Sequence, residues 1–270
     1  DEPASTFELY SFAKAMGFEV LVAGKGKNNK LRTNANPDTV AEEAKERGVA
    51  PHMLASFADG TKTMAEMTLL SNACGFKADI TGMHGVSGHL KETVAQLRLK
   101  SEGGVLNSYG VVEYVDGLAP GVFVIVKGKS KGVIDQMNYM MKVENDHQIL
   151  YRPYHLGSLE TPFTIAKAVL NHEFSIAPLA GPTSDTVCVA KKDIKAGDPI
   201  DGIGGYCVRG VIESHVVTKE KKYIPIGLIA GKVFAKRDIA NGSFVTEDDI
   251  QLDTNTTVWK LRKLQDEIYG

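Results

Sequence analysis

Cysteine is scarce in this sequence: three residues in 270, Cys74, Cys188 and Cys207. The number is odd and no two stand in CxxC spacing. That argues against a disulfide framework and against a cysteine zinc site, and it favours a reducing, cytoplasmic compartment. A charge excess is also lacking. The 31 basic residues nearly balance the 33 acidic ones, for a net charge of −2, so there is no global footprint for nucleic acid or an anionic membrane surface. No apolar run approaches the roughly 20 residues of a membrane helix, and no basic-then-apolar signal opens the chain. Two nucleotide-binding patterns are missing as well. No GxGxxG stands as strand, loop and helix, and GKGKNN has no glycine-lysine-serine/threonine at phosphate-loop spacing. What remains is 43% hydrophobic and 24% charged, an ordinary soluble composition, long enough for one or two domains with a real core.

The chain opens on Asp1 and runs at once into FELYSFAKAM, a helical pattern with Phe7, Leu9, Tyr10, Ala13 and Met16 near one face and Gly17 as its stop. FEVLVA then reads as a fully buried strand, whose natural parallel neighbours are not local. Two readings fit: a chain that begins inside a larger α/β fold, or a small self-contained α/β layer. After FEVLVA, two glycines read as a turn that places Lys25, Lys27, Asn28 and Asn29 on a flexible loop at the carboxyl end of the strand. Ligands of α/β sheets bind at such ends. Lysines offer point charges to phosphate or carboxylate, and amides bond to hydroxyls. The plainer reading is a solvated turn.

Further on, PDTVAEEAKER (37–47) reads as a helix with Pro37 in its first turn, and HMLASFA (52–58) as a short strand. KTMAEMTLLSNA reads as a helix, ITGMHGVSGH as a glycine-rich loop, and VVEYV with GVFVIVKG as a hairpin across Asp116–Pro120. KGVIDQMNYMMK reads as a helix, HQILYRPY as a strand, and SLETPFTIAKAVLN as a helix capped by Ser158. Residues 175–186 have linker composition, which puts a boundary near 180. Beyond it the texture is β until the final helix VWKLRKLQDEIY.

That β region repeats itself. Ala190-Lys191, Asp193-Ile194 and Gly197 match Ala235-Lys236, Asp238-Ile239 and Gly242, each copy reading as strand, charged turn and glycine-set bend. The two copies resemble the SAF domain, a β-clip module, over roughly residues 185–253. The module occurs in sugar-acid enzymes, sialic acid synthases and chaperones of flagella and pili, so it fixes a fold more than a function. Before it come AGKGKNN, SFADGTKTMAEM, TGMHG, APGVFVIV and YRPYHLGSLETP, in that order. Together these resemble the homoserine-dehydrogenase-like SAF proteins, among them the deoxyxylulose-phosphate-reductoisomerase-like (DRL) oxidoreductases.

The resemblance implies an α/β (α+β) central domain over 31–180 and a β-rich SAF domain with its helix over 181–270. Residues 1–30 would be the remnant of a Rossmann domain. It implies NADP or NAD, bound mainly by a domain upstream of this chain, and a homodimer acting on a small anionic substrate, a polyhydroxylated acid or sugar phosphate. Within it, Lys62 is the first choice for the proton donor or carbonyl polariser of hydride transfer, oriented by Asp59. The turn Asp59-Gly60-Thr61 opens a helix whose N-terminus suits an anion, and Glu66 shares a face with Lys62. Read plainly, these residues are a cap and a surface ion pair. Homoserine dehydrogenases have an asparagine where Asp59 stands, which argues against homoserine itself. His84 is a candidate acid, base or substrate ligand. Arg152 and His155 frame a carboxylate or phosphate clamp, or simply a strand end. A divalent metal, as in the reductoisomerases, would draw on Asp59, Glu66 and Glu160. The competing classes are a non-catalytic SAF carbohydrate binder or assembly chaperone, and an SAF-bearing sugar-acid lyase that needs a compact metal cluster.

Overall fold

The computed structural model describes residues 2–142 and 144–269. In chain order the elements are helix α1 (Glu2–Ala15), strand β1 (Glu19–Lys27), helices α2 (Ala41–Arg47), α3 (Pro51–Ala58) and α4 (Thr61–Cys74), short strands β2 (Lys77–Ala78) and β3 (Val86–Ser87), and helix α5 (Leu90–Gln96). Strands β4 (Val111–Asp116) and β5 (Val122–Lys127), helix α6 (Lys131–Met141), strand β6 (His147–Arg152) and helix α7 (Thr161–Ala166) follow. The C-terminal region holds strands β7 (Ser184–Ala190) and β8 (Val208–Ser214), helix α8 (His215–Lys221), short strands β9 (Phe234–Ala235) and β10 (Ile250–Gln251), and helix α9 (Thr257–Tyr269). No helix among the described residues is long and apolar enough to cross a membrane.

The chain is mixed α/β with a strand-rich C-terminal region, and its contacts divide it into two units. One joins the residues up to Asn28 with Leu69–Thr183; the other joins Asn29–Thr68 with the chain from Ser184 onward. The sequence-drawn boundaries at 30 and 180 cut consecutive blocks, whereas the contacts group residues 29–68 with the C-terminal strands.

The first unit is built on a six-stranded sheet in the order β2-β4-β1-β5-β6, with β3 also on β4. β1, expected to belong to a Rossmann remnant, lies at the centre of this sheet. It pairs parallel with β4 and antiparallel with β5. Its residues are buried from Val20 to Lys27, as a run apolar on both faces requires. This overturns the hairpin expected between β4 and β5, because β1 lies between them. Their connection instead crosses the end of β1. Gly26 N–H donates to Gly121 O at 2.8 Å, and a Cβ on Gly26 would lie 2.1 Å from the Leu118 carbonyl carbon. Tyr151 Oη donates to Leu118 O at 2.9 Å and fastens the crossing. The expected glycine turn is therefore absent. The strand runs on through Lys27, and Gly24 and Gly26 are close-approach positions: a Cβ on Gly24 would meet Glu113 O at 2.0 Å. The helix expected after Ser158 begins as a 3-10 turn, Gly157–Glu160, passes through α7 and ends as a π-helical turn, Lys167–Asn171. No side-chain cap bond forms at either start.

In the second unit, HMLASFA is helix α3 and not a strand. Pro51 sits in its first turn, and Leu54, Ala55 and Ala58 are buried at helical spacing. They form a small core with Ala35, Val40 and Ala44. The β region pairs β7 with β8, and its two repeat copies clasp each other. Ile194 and Ile239 exchange both backbone hydrogen bonds, at 2.9 and 2.8 Å. Gly197 N–H donates to Ala235 O, and Gly242 N–H to Ala190 O. Ala196 N–H donates to Asp238 Oδ1, and Asn241 N–H to Asp193 Oδ1. Each bond in one copy has its counterpart in the other, so the repeat folds as a local two-fold over one core of Cys188, Ile194, Ile200, Ile239 and Val245.

Candidate functional site

The sheet of the first unit places cations in one row. Lys25 pairs with Val122 across β1 and β5, and Val122 pairs with Arg152 across β5 and β6. Residues in register share a face, so Lys25 and Arg152 leave the sheet on the same side. Lys27, two residues on, shares that side. Because β6 runs in the direction of β1, all three lie at carboxyl ends of strands, where α/β sheets receive ligands. Both lysines are buried.

Helix α1 packs on β1 and β5 and holds this row with a line of polar residues spaced three apart. Glu2 Oε1 takes Lys25 Nζ at 2.6 Å and His155 Nε2 at 3.1 Å. Ser5 Oγ donates to Glu160 Oε2 at 3.1 Å. Arg152 reaches Glu160 Oε1 at 2.6 Å and Glu8 Oε2 at 3.3 Å, with its guanidinium 4.8 Å from the Tyr154 ring centroid. Beside the cluster opens a cavity of about 440 Å³. Its polar wall carries Ser5, Glu8, Arg152, Glu160 and Lys167; Leu159 and Phe163 line the apolar side. Glu2, Ser5 and Glu8 are absent from the sequence-based candidates. Their three-residue spacing along one helix face was the available signal.

The other candidates are held elsewhere. His84 Nε2 contacts Asp79 Oδ2 at 2.8 Å, and its backbone N–H donates to Glu113 Oε2 at 2.8 Å. Glu113 Oε1 accepts from Gly85 and Tyr114 N–H at 3.1 and 2.9 Å. Glu113 is in register with Gly24, so its side chain leaves the sheet on the face opposite Lys25. Burial pushes the Glu113 carboxyl up, partly offset by these three donors. Asp79 is also pushed up by burial, but His84, Asn107 and Ser108 outweigh that and hold it below its ordinary value. The glycine-rich histidine loop is thus pinned by two carboxylates, Asp79 and Glu113.

In the second unit, Asp59, Thr61, Lys62 and Glu66 stand at the corner of α3 and α4. Asp59 is fully buried. Its Oδ1 accepts Thr61 N–H at 2.9 Å, as a helix cap does, and its Oδ2 takes Lys191 Nζ at 3.0 Å. Lys191 also donates to Ala35 O at 2.7 Å and to Gly205 O at 2.5 Å. Thr61 Oγ1 accepts Gly210 N–H at 2.8 Å. The corner thereby ties α4 to the repeat and to β8. Lys62 Nζ lies 3.1 Å from Glu66 Oε1 and 4.8 Å from the Phe57 ring centroid. Asn29 accepts from Arg47 at 3.3 Å. Asn28 follows β1 directly, outside the strand.

The metal donors suggested by the sequence are all engaged with cations: Asp59 with Lys191, Glu66 with Lys62, and Glu160 with Arg152. Among the described residues no group of three His, Cys, Asp or Glu side chains is arranged to hold a metal ion. The end of β1 does not fit a dinucleotide pyrophosphate either. The space beyond Gly24 and Gly26 is filled by the chain's own Glu113 and Leu118–Ala119 backbone, where a phosphate cradle needs open glycine backbone and a following helix.

A comparison with curated proteins gave no match. Two family profiles match the sequence: "Oxidoreductase DRL, catalytic domain" over residues 1–161, and "SAF domain" over residues 185–251. The first begins at residue 1, so β1 and its lysines fall inside the catalytic-domain match. It covers more than half of the chain, which therefore belongs to the DRL oxidoreductase family and carries the family's catalytic domain followed by a SAF domain.

Proposed function

We propose that the chain supplies the substrate-handling part of an NAD(P)-dependent oxidoreductase, in a reducing cytoplasmic compartment, and that its substrate is a small anionic, polyhydroxylated acid or sugar phosphate. The observation that carries this reading is the row of Lys25, Lys27 and Arg152 at the carboxyl strand ends, beside a cavity with mixed walls. Arg152 is the anion clamp, since a guanidinium meets a carboxylate or phosphate with two parallel bonds. Glu8 is its longer-range partner and is half exposed, so an incoming anion takes that place while Glu160 keeps the guanidinium oriented. The remaining carboxylate and hydroxyl oxygens, on Ser5, Glu160 and Thr164, are acceptors for substrate hydroxyls. Leu159 and Phe163 cover the carbon skeleton and exclude water.

A nicotinamide, where bound, would supply or take the hydride; its nucleotide is assigned mainly to a separate domain, because the end of β1 offers it no cradle. Lys25, fixed by Glu2, is assigned to polarise the reacting carbonyl by donating to its oxygen. Lys62 is the alternative donor, drawn from the sequence. The test is a fluorescence titration with NADPH on residues 1–270 and on any longer form encoded by the same gene. The proposal expects the longer form to bind and this chain to bind weakly. Absence of binding by both overturns the nicotinamide assignment. In the binding form, Lys25→Met is expected to lower kcat in NADPH oxidation with hydroxylated oxo-acids or ketose phosphates by about a hundredfold. A loss confined to Lys62→Met moves the donor role to that residue.

A further inference from the structure

The start of β6 gathers a line of polar groups at the opposite end of the strand from Arg152, and the substrate reading makes no use of them. Asp146 Oδ1 takes Arg98 and His147 Nδ1, each at 2.8 Å, and its Oδ2 takes Lys127 at 3.2 Å. The His147 ring is buried. Its Nε2 lies 3.0 Å from Tyr109 Oη, and that hydroxyl lies 2.5 Å from Glu102 Oε2. Glu102 itself is 4.0 Å from Nε2. Lys127 is in register with His147 across β5 and β6. Lys91, Lys142 and Glu144 share with His147 the wall of a cavity of about 520 Å³. These charges and the Tyr109 hydroxyl set the field at the imidazole.

The hydrogens of this line can be counted. An ionised Asp146 only accepts, so Nδ1 carries a proton. Tyr109 has one hydroxyl proton and two neighbours that can take it, Glu102 and Nε2. When Nε2 is also protonated, it donates to Oη, the hydroxyl donates to Glu102, and the whole line is bonded. When Nε2 is bare, the hydroxyl serves either the carboxylate or the ring, and one bond is lost. Burial, and next the bond to Glu102, push the Tyr109 hydroxyl up to about 12. Burial also raises Asp146, but His147 and Arg98 outweigh it and hold the carboxyl below its ordinary range. Neither group changes charge near neutral pH, whereas histidine is the side chain that does so. We propose that Asp146, His147, Tyr109 and Glu102 form a proton-operated latch, which ties Tyr109 and the turn Lys100–Glu102 to β6 while the imidazole carries both ring protons and loosens them when Nε2 gives its proton to water. A bond that needs the protonated ring is fully made at low pH and is lost as the pH rises. The latch reaches the histidine loop, because Asn107 and Ser108 lie between its two members and donate to Asp79 at 2.9 and 3.2 Å, and Asp79 holds His84. The proposal does not depend on the substrate reading.

Proton–nitrogen NMR of the imidazole rings, titrated from about pH 5 to about pH 9, follows the switch directly, with His147→Gln identifying the signal. Nε2 is expected to lose its proton while Nδ1 keeps its own. Native-state hydrogen exchange, corrected for its intrinsic pH dependence, reads the latch at the amides of Glu102 and Gly103, which bond to Leu99 O and Lys100 O. Their protection is expected to fall about tenfold from the acid to the alkaline end, the effect of one charge-assisted hydrogen bond. Tyr109→Phe deletes the hydroxyl and is expected to make protection equal at both ends; circular dichroism checks its fold. His84→Gln removes the other histidine tied to this segment and is expected to keep the tenfold change. Loss of the Nδ1 proton first, wild-type protection that does not respond to pH, a response unaltered in Tyr109→Phe, or one abolished by His84→Gln each overturns the proposal.

Discussion

Gly26 shows how a single side chain's absence decides the first unit. The loop Gly117–Gly121 lies on it, and a methyl group there would meet backbone atoms of Leu118 and Ala119 at 2.1 to 2.4 Å. Backbone cannot swing aside as a side-chain tip can. Gly26→Ala is therefore expected to cost about 3 kcal/mol or more, read as a shift of the urea midpoint, while Gly132→Ala, with open space at its Cβ, is expected to be neutral or mildly stabilising. Glu113 makes the second residue-scale case. Burial is the largest influence on it and raises its pKa. A raised carboxyl stabilises the fold fully below its unfolded value of about 4.3 and loses that contribution as the pH rises through the folded value. Asp79, held low, works in the opposite sense and supports the fold above about 3.9. Glu113→Gln is expected to lose one of three N–H acceptances and about 1–3 kcal/mol at acid pH. Its deficit is expected to shrink as the pH rises from about 4.3 towards neutrality. Denaturation midpoints measured against pH check this, and parallel profiles for the two proteins contradict it.

At the scale of elements, the corner between α3 and α4 is a joint. Asp59→Ala removes the cap of α4 and strands the buried ammonium of Lys191, for an expected loss of about 3–5 kcal/mol. The double change Asp59→Leu with Lys191→Met removes both charges together and is expected to recover most of that loss. Failure to recover contradicts a joint based on the ion pair. The SAF repeat allows a matched comparison. Asp193 and Asp238 each accept one N–H from the opposite copy, so Asp193→Ala and Asp238→Ala are expected to cost similar amounts, about 1 kcal/mol each. Asp238 additionally loses its exposed pair with Lys195, which contributes little.

These cases also mark what the sequence could reveal. Helices with clear 3.6-residue patterning, such as α4 and α6, are read directly, and so is the repeat, because identical turn chemistry recurs at identical spacing. The local two-fold it folds into is not readable, since nothing in one copy names the other as its partner. Lys191 and Lys236 occupy equivalent repeat positions. One is buried on Asp59 and the other donates to Glu247 O at 3.1 Å near the surface; that difference comes from distant chain. The same limit explains the expected hairpin. VVEYV and GVFVIVKG are adjacent in sequence and both apolar, and only β1, some ninety residues upstream in the chain of β4, separates them. The lysines were legible as a cationic group at the carboxyl end of a strand, but not as strand residues, because glycine signals a turn locally and close packing only in three dimensions.

For the molecule as a whole, the parts fall into a consistent division of labour. One unit carries a sheet with cations at its carboxyl ends and a cavity beside them. The other carries the clasped repeat, with residues 29–68 built onto it. Of the sequence-based candidates, Lys25, Lys27, Arg152 and His155 share one face or one ion-pair cluster, whereas Asp59 and Thr61 serve the second unit's joint. The central claim is that the cluster around Arg152 receives a small anionic, hydroxylated ligand. Calorimetric titration of the chain with gluconate and with ribose 5-phosphate tests it directly, on wild type, Arg152→Met and Lys62→Ala, each checked for folding by circular dichroism. The account predicts that at least one ligand binds wild type, that Arg152→Met loses affinity by about tenfold or more, and that Lys62→Ala binds nearly as well as wild type. Absence of binding by both ligands, or unchanged affinity in Arg152→Met, contradicts it.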